Sequence, residues 1–407
     1  MICRHCKSPL GHLFLDLGFA PPSNSYLTVG DLSKSEVYFP LRVMVCESCW
    51  LVQTADFARA EELFDAEYAY FSSTSVSWLQ HATSYATEII RRLNLSANSF
   101  VVEIASNDGY LLRNFLAASI PCMGIEPTAS TASAAELLGV PVLRDFFSER
   151  LGNELATKGR QADLVVANNV YAHVPDINDF TKGIKKLLKV SGTVTLEFPH
   201  LLELIKHNQF DTIYHEHFSY LSLYTVDRIF RQAGLRIWDV DTLVTHGGSL
   251  RVYGCHENDP RPTRVSVADL LEVERKHGLQ EVRTYMDFQS RADAIKNDLI
   301  MFLVEQKRLG KKVAAYGAAA KGNTLLNYAG IKPDLLPFVC DAAAAKQGKF
   351  LPGSHIPILA PEKLFELVLD FLIILPWNIA PEVRKQLAYL SEAGTKFVTA
   401  VPKLEIK

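Results

Sequence analysis

The chain has no long apolar run. Over 407 residues nothing approaches the ~20 consecutive apolar residues that a membrane-spanning helix needs. The nearest stretch, Leu367 to Leu375, is short, carries Asp370 and stops at Pro376, so it reads as a buried strand. The opening residues Met1-Ile2-Cys3-Arg4-His5-Cys6 lack the apolar core of an export signal. A cytoplasmic protein with no membrane partner is expected. An excess of one charge is also missing. The formal net charge is −3, which gives no broad pull toward nucleic acid and leaves room only for local basic pockets. Cysteine is sparse and odd in number, seven in all, which argues against a disulfide framework. Low-complexity tracts are lacking. With 48% hydrophobic and 21% charged residues the composition is globular rather than disordered. The length exceeds one ordinary core, so two or three domains are expected.

Four of the cysteines form two pairs, Cys3-x-x-Cys6 and Cys46-x-x-Cys49. Two such pairs can supply the four thiolates of a tetrahedral zinc site. A filled tetrahedron leaves no position for water, so the metal is expected to be structural. Around it, residues 1 to about 60 read as short strands and turns punctuated by Pro21-Pro22-Ser23-Asn24 and Val29-Gly30-Asp31, with Tyr38 to Cys46 alternating as a strand. So small a piece needs a staple. Cys122, Cys255 and Cys340 lie in apolar contexts and read as buried small hydrophobes.

Beyond residue 60 the pattern alternates. Helices are predicted over Ser77 to Leu93, Thr128 to Leu138 and Ile177 to Leu188. Strands are predicted at Phe100 to Ala105, Cys122 to Glu126, Pro141 to Leu143, Ala162 to Ala167 and Gly192 to Glu197. Such alternation implies an open, mostly parallel α/β sheet. Arg236 to Thr245 and Ser249 to Gly254 read as an antiparallel pair joined through Gly247-Gly248. A helix over 281–309 leads to a second α/β pattern of strands at Lys312 to Gly317, Pro337 to Asp341, Leu369 to Leu375 and Lys396 to Val401, the mark of a smaller Rossmann-like unit. The expected domains are residues 1–62 (zinc), 63–256 (middle) and 257–407 (C-terminal).

The first parallel strand runs into a tight turn, Glu103-Ile-Ala105-Ser106-Asn107-Asp108-Gly109, and a helix follows. Class I methyltransferases bind S-adenosylmethionine at such a turn, with an acid late in the next strand for the ribose. Glu126, followed by Pro127, falls at that place. Asp145 would sit by the adenine edge, and Asn168 and Asn169 follow the fourth strand. The same features suit a nicotinamide dehydrogenase, so position alone leaves both classes open. Trp78 reads as a core residue.

Taken together, the motifs resemble the nucleotide-sugar C-methyltransferases that make branched deoxysugars. The resemblance runs over nearly the whole chain. It rests on the paired Cys-x-x-Cys start, Leu15-Asp-Leu-Gly18, Pro21-Pro-Ser-Asn-Ser-Tyr26, Tyr68-Ala-Tyr-Phe-Ser-Ser73, Ser77-Trp78, Glu103 to Gly109, Tyr214-His-Glu-His217 and Tyr316-Gly-Ala-Ala-Ala-Lys321-Gly-Asn323. It implies a zinc-binding N-terminal domain, a class I methyltransferase middle domain and a Rossmann-like C-terminal domain. The implied reaction methylates carbon beside the ketone of a nucleoside-diphosphate 4-keto-6-deoxy sugar, C3 before C5. By the same resemblance His217 is the general base, Tyr214 and Glu216 hold the sugar, and His173 with Tyr68 or Tyr70 helps line the site. The chemistry suits these residue types, since a carbon beside a ketone can lose its proton to a neutral imidazole. Two other readings of the histidine motif remain: a second metal site, with His215 and His217 on one face of a strand, or a structural polar cluster. The turn Gly317 to Asn323 opens a helix, and Lys321 and Asn323 would meet the diphosphate there. A monomer is expected. The rival activity is a nicotinamide-dependent sugar-nucleotide oxidoreductase.

Overall fold

The computed structural model describes residues 1–55 and 71–407. Its backbone is organised by three sheets. The first is built from β1 (His12–Ala20), β2 (Phe39–Val45), β3 (Val52–Thr54) and a distant fourth strand, numbered β9 in chain order (Ser219–Tyr220). All its pairings are antiparallel. β2 shows the alternation expected of a half-buried strand, with Leu41, Val43 and Val45 buried. Their apolar face is covered by the helix Phe288–Arg308, so this sheet and the C-terminal unit share one core that includes Phe14, Leu15, Phe288, Leu299 and Ile373. The small domain therefore has both a staple and a borrowed core.

The second sheet comprises β4 (Val101–Ile104), β5 (Cys122–Ile125), β6 (Val142–Leu143), β7 (Ala162–Asn168), β8 (Leu188–Pro199), β10 (Leu235–Leu243) and β11 (Ser249–His256). Their order is β10-β11-β8-β7-β4-β5-β6, with β11 antiparallel to both neighbours and the rest parallel. The order reverses beside β4, which is where a doubly wound sheet opens a crevice for ligand. The third sheet runs β14 (Ile358–Leu359), β13 (Val339–Cys340), β12 (Val313–Tyr316), β15 (Phe371–Ile374), β16 (Lys396–Thr399) and β17 (Glu405–Ile406), parallel up to the last strand.

Most predicted elements recur within a residue or two. The helix expected over 281–309 is broken at Asp287 into Arg283–Met286 and Phe288–Arg308. The helix Val265–Lys276, on the C-terminal side of the expected boundary at 256, packs on β10 and on the helix Leu223–Ala233 of the middle unit. Cys122, Cys255 and Cys340 are all buried. Among the described residues no helix is long and apolar enough to cross a membrane.

The helices Glu149–Thr157 and Ile177–Leu187 cover the middle sheet and touch through glycines. A β carbon at Gly152 would lie 2.4 Å from the Gly183 carbonyl oxygen, a backbone atom that cannot turn aside. Gly152→Ala is expected to destabilise the fold by about 1–3 kcal/mol through overpacking. The check is the midpoint of thermal or urea unfolding; an unchanged midpoint would show that the two helices can part without cost.

Candidate active site

The two cysteine pairs fold alike. In each, the residue after the second cysteine, Lys7 or Trp50, has a positive φ and donates its backbone N–H to the first cysteine's carbonyl, at 3.0 and 2.7 Å. These matched knuckles bring all four sulfurs within 4.8 Å of one another, with Cys3 to Cys49 at 3.5 Å and Cys6 to Cys46 at 3.4 Å. That is the spacing of four thiolates around one tetrahedral zinc. The knuckles also grip the rest of the site. Arg4, inside the first pair, donates to the carbonyls of Thr54 and Pro175 at 3.1 and 2.8 Å.

A cavity of about 460 Å³ lies at the open ends of β4, β5 and β7 and is closed by the N-terminal and C-terminal units. At one end the strand-to-helix turn after β4 supplies Ala105 and Asn107, both at positive φ. Glu126, at the end of β5, accepts the backbone N–H groups of Asn107 and Thr128 at 2.9 and 3.0 Å. Pro127 and Asp145 line the wall beside it, and Phe147 meets Phe180 edge-on at 5.2 Å to form an apolar slot. Asn168 and Asn169, after β7, each keep a buried side-chain oxygen without a hydrogen-bond partner. An acid over the turn, a ring-width slot and orphaned acceptors fit the ribose, adenine and amino-acid parts of S-adenosylmethionine.

The remaining motif residues shape this turn without lining the cavity. Glu103 is buried, and burial, reinforced by Glu126 and Asp108, raises its carboxyl well above the usual range. Ser106 packs against Gly124, where a β carbon would lie 2.2 Å from its hydroxyl. Asp108 accepts the Ser73 N–H at 3.0 Å. Gly109 sits at φ +77 against Ala135.

At the other end the segment Tyr214 to His217 enters. His215 and Glu216 form a turn, not the strand of the second-metal reading, and the His217 N–H closes it on the Tyr214 carbonyl at 3.0 Å. The two histidines diverge: His215 Nε2 meets the Phe39 carbonyl at 3.3 Å, while His217 lines the cavity. Nδ1 of His217 lies 2.9 Å from the Thr212 carbonyl. A carbonyl only accepts, so Nδ1 carries the proton and Nε2 keeps the lone pair. The Tyr214 ring lies tilted over His217 at 4.0 Å and His173 stands edge-on at 4.6 Å. Burial, helped by His173, lowers His217 well below the ordinary range. Burial takes His173 down to about 4 and pushes Glu216 up to about 7.

Lys321 completes this end from the third sheet. Burial lowers its ammonium to about 8, against the opposing effect of Asp211, and it bonds Asn378 at 2.9 Å. Asn323 does not reach the cavity. It sits on the inner face of the helix Ala320–Tyr328, buried, with its amide 3.5 Å from the Ser23 carbonyl. Tyr68 and Tyr70 lie outside the described residues.

Several lining residues escape the sequence reading. Asn24 donates to both oxygens of Glu216 at 3.0 and 2.7 Å. Lys346 stands beside the Ala318 carbonyl at 3.0 Å. Trp78, expected in the core, lines the cavity with His246, 5.2 Å away. Asn24 was legible only as part of the Pro-Pro-Ser-Asn turn, and Lys346 has no local signature.

A reversed-order parallel sheet with one antiparallel strand, a turn and acid fitted to S-adenosylmethionine, and a four-cysteine zinc module define a zinc-bearing class I methyltransferase. Family descriptions match three stretches: a zinc binding domain over residues 3–64, a methyltransferase domain over 78–240 and a C-methyltransferase C-terminal domain over 244–402. The C-methyltransferase NovU of Streptomyces niveus is 36% identical over 401 residues, 98% of this chain and 95% of that protein. The chain belongs to this family of S-adenosylmethionine-dependent C-methyltransferases, and the oxidoreductase expectation gives way. Among solved structures, magnesium protoporphyrin IX methyltransferase of Synechocystis with bound S-adenosylmethionine overlaps 44% of this chain and 80% of its own, at 14% identity and a TM-score of 0.34. A methyltransferase of Clostridium acetobutylicum overlaps 44% and 92%, at 10% identity and a TM-score of 0.35.

One zinc per chain is expected by metal analysis. Cys46→Ser or Cys49→Ser should leave the protein misfolded, because structural zinc contributes on the order of 10 kcal/mol to small modules. Fully active protein with substoichiometric zinc would refute the structural role.

Proposed function

We propose that this C-methyltransferase acts on carbon beside the ketone of a nucleoside-diphosphate-linked 4-keto-6-deoxy sugar, at C3 with C5 the alternative, in branched deoxysugar biosynthesis. The observation that carries the reading is His217: a buried imidazole whose Nδ1 is committed to a carbonyl, in the same cavity as the cofactor turn. A neutral imidazole suits removal of a weakly acidic carbon-bound proton. Its depressed titration keeps it in the basic form at neutral pH.

In this reading His217 Nε2 takes the proton from the carbon and leaves an enolate. Tyr214 and Glu216 hold the sugar, and His173 packs the base in place. S-adenosylmethionine supplies, when bound, an electrophilic methyl group for that carbon. The cofactor side is assigned to Ala105, Asn107, Glu126, Pro127, Asp145, Asn168 and Asn169, with Glu103, Ser106, Asp108 and Gly109 setting the turn. Ala319, Ala320 and Lys321, at the start of a helix, face the cavity. Backbone donors and a cation at a helix start favour a diphosphate, and Lys346 adds a second cation nearby.

The test is mass spectrometry of products made with methyl-labelled S-adenosylmethionine and a panel of keto-sugar nucleotides. Label beside the ketone is expected, and no labelled sugar from any member would defeat the substrate reading. With the accepted sugar, His217→Asn should lower turnover by roughly a hundredfold or more, the scale of general-base catalysis, while S-adenosylhomocysteine affinity changes little. Near-normal turnover would pass the role to His173 or a tyrosinate.

A further inference from the structure

We propose that Asn24, carried by the zinc-bearing N-terminal segment, is a positioning residue that holds the Glu216 carboxylate in place within the reaction cavity. The proposal rests on the reading of Glu216 as an acceptor for the sugar. Both side chains line the cavity, and the Asn24 amide reaches both carboxylate oxygens, at 3.0 and 2.7 Å.

The turn that carries Asn24 is fastened on every side. Ser25 N–H closes it on the Pro22 carbonyl at 3.1 Å, and Leu27 and Phe350 exchange backbone hydrogen bonds at 2.9 and 2.8 Å. The Tyr26 hydroxyl donates to the Ala318 carbonyl at 2.6 Å. The Ser23 hydroxyl lies 3.4 Å from that of Thr324. Asn24 is thus fixed to the C-terminal unit while its amide reaches across to the segment that joins β8 to β10 of the middle sheet. Such bracing is what a positioning group requires.

Glu216 is 2% exposed and makes no ion pair within 4 Å among the described residues. The titratable groups that share the cavity wall with it are Tyr214 and His217 on its own loop and His173 from the short helix after β7, and Tyr26 of the N-terminal segment lies near enough to feel its charge. His246 comes from the β10–β11 connection, and Lys321 and Lys346 from the C-terminal unit. A buried carboxylate without a cation on it must take a proton or be given donors. Asn24 supplies the donor. Burial pushes the carboxyl up to about 7 while the Asn24 hydrogen bond pulls it down.

The sign follows. An ionised Glu216 accepts hydrogen bonds from sugar hydroxyls, so activity rises as pH passes upward through its pKa. Loss of the Asn24 donor raises that pKa and moves the acid limb to higher pH. Asn24→Ala removes the donor. Asn24→Asp sets a second carboxyl against the first, and a shared proton shifts the limb further the same way.

The experiment uses full-length, zinc-loaded protein. The kcat/KM pH profile is taken with the sugar nucleotide that the wild type methylates. The Glu216 carboxyl is titrated by carbon-13 NMR in glutamate-labelled protein, assigned with Glu216→Gln. In both Asn24 variants the acid limb and the NMR midpoint should rise by about one to two pH units, the scale of a hydrogen bond to a charged group. Zinc content and S-adenosylhomocysteine affinity should stay unchanged. Unshifted midpoints would overturn the proposal. So would loss of activity at every pH together with loss of S-adenosylhomocysteine binding, which marks a mere brace. The NMR titration needs no turnover, so it still decides the role of Asn24 if the wild type methylates no keto-sugar.

Discussion

Four thiolates drawn to one zinc are the constraint on which the rest of this molecule hangs. The sheet of β1, β2 and β3 is too small to hold itself. The metal joins its beginning to the end of β2, and Arg4, between two of the ligands, bonds the Thr54 carbonyl. Thr54 in turn donates its hydroxyl to the His217 carbonyl at 3.1 Å and its N–H to Phe218 at 3.2 Å. Ser219–Tyr220 then joins the zinc sheet as its fourth strand. The metal takes no part in chemistry, yet it sets the backbone that presents the imidazole. Loosening the knuckles would free the His217 loop as well as the domain.

Burial is the common cause of the site's electrostatics. It is the leading influence on the depressed His173, His217 and His246, on the raised Glu216 and on the lowered Lys321. A dry cavity disfavours charge of either sign, and here it leaves neutral imidazoles at neutral pH. A fully paired anion lies behind the wall. Burial would raise Glu197, but His81 at 2.9 Å and Arg251 at 2.7 Å hold its carboxyl below the usual range. Thr245, next to His246, also donates to it at 3.1 Å. The Glu197 carbonyl meanwhile accepts the Asn169 N–H at 2.7 Å. One satisfied anion therefore steadies two cavity residues without lending the cavity its charge.

What could be read from the sequence follows the range of the forces involved. The cysteine pairs, the turn after β4 and Glu126 belong to local motifs, and each lies where spacing and alternation put it. The Tyr214 to His217 motif was legible as chemistry but not as geometry, since spacing alone allowed a strand where a turn forms. Asn24 and Lys346 were illegible as cavity residues because their meeting depends on how three units pack. Asn323 misled for a related reason. It follows the helix-start pattern, but its position turns it inward to the Ser23 carbonyl. Trp78 packs against the core around Tyr110 and also lines the cavity, two settings that bulk alone does not distinguish in a sequence.

The close fit between the middle and C-terminal units limits how the cavity can work. A β carbon at Gly247 would stand 2.4 Å from the Trp377 ring. The Trp377 indole donates to Asp211 at 2.7 Å, and the Lys321 ammonium lies 4.8 Å from the ring centre. Asp211 immediately precedes Thr212, whose carbonyl fixes the His217 tautomer. The contact that seats one unit on the other therefore runs directly into the hydrogen bond that fixes the His217 tautomer. Grafting Tyr-His-Glu-His alone onto another class I sheet would bring the imidazole without its carbonyl, its amide partner or its dry surroundings. The setting of His217 belongs to the junction of the three units rather than to the motif.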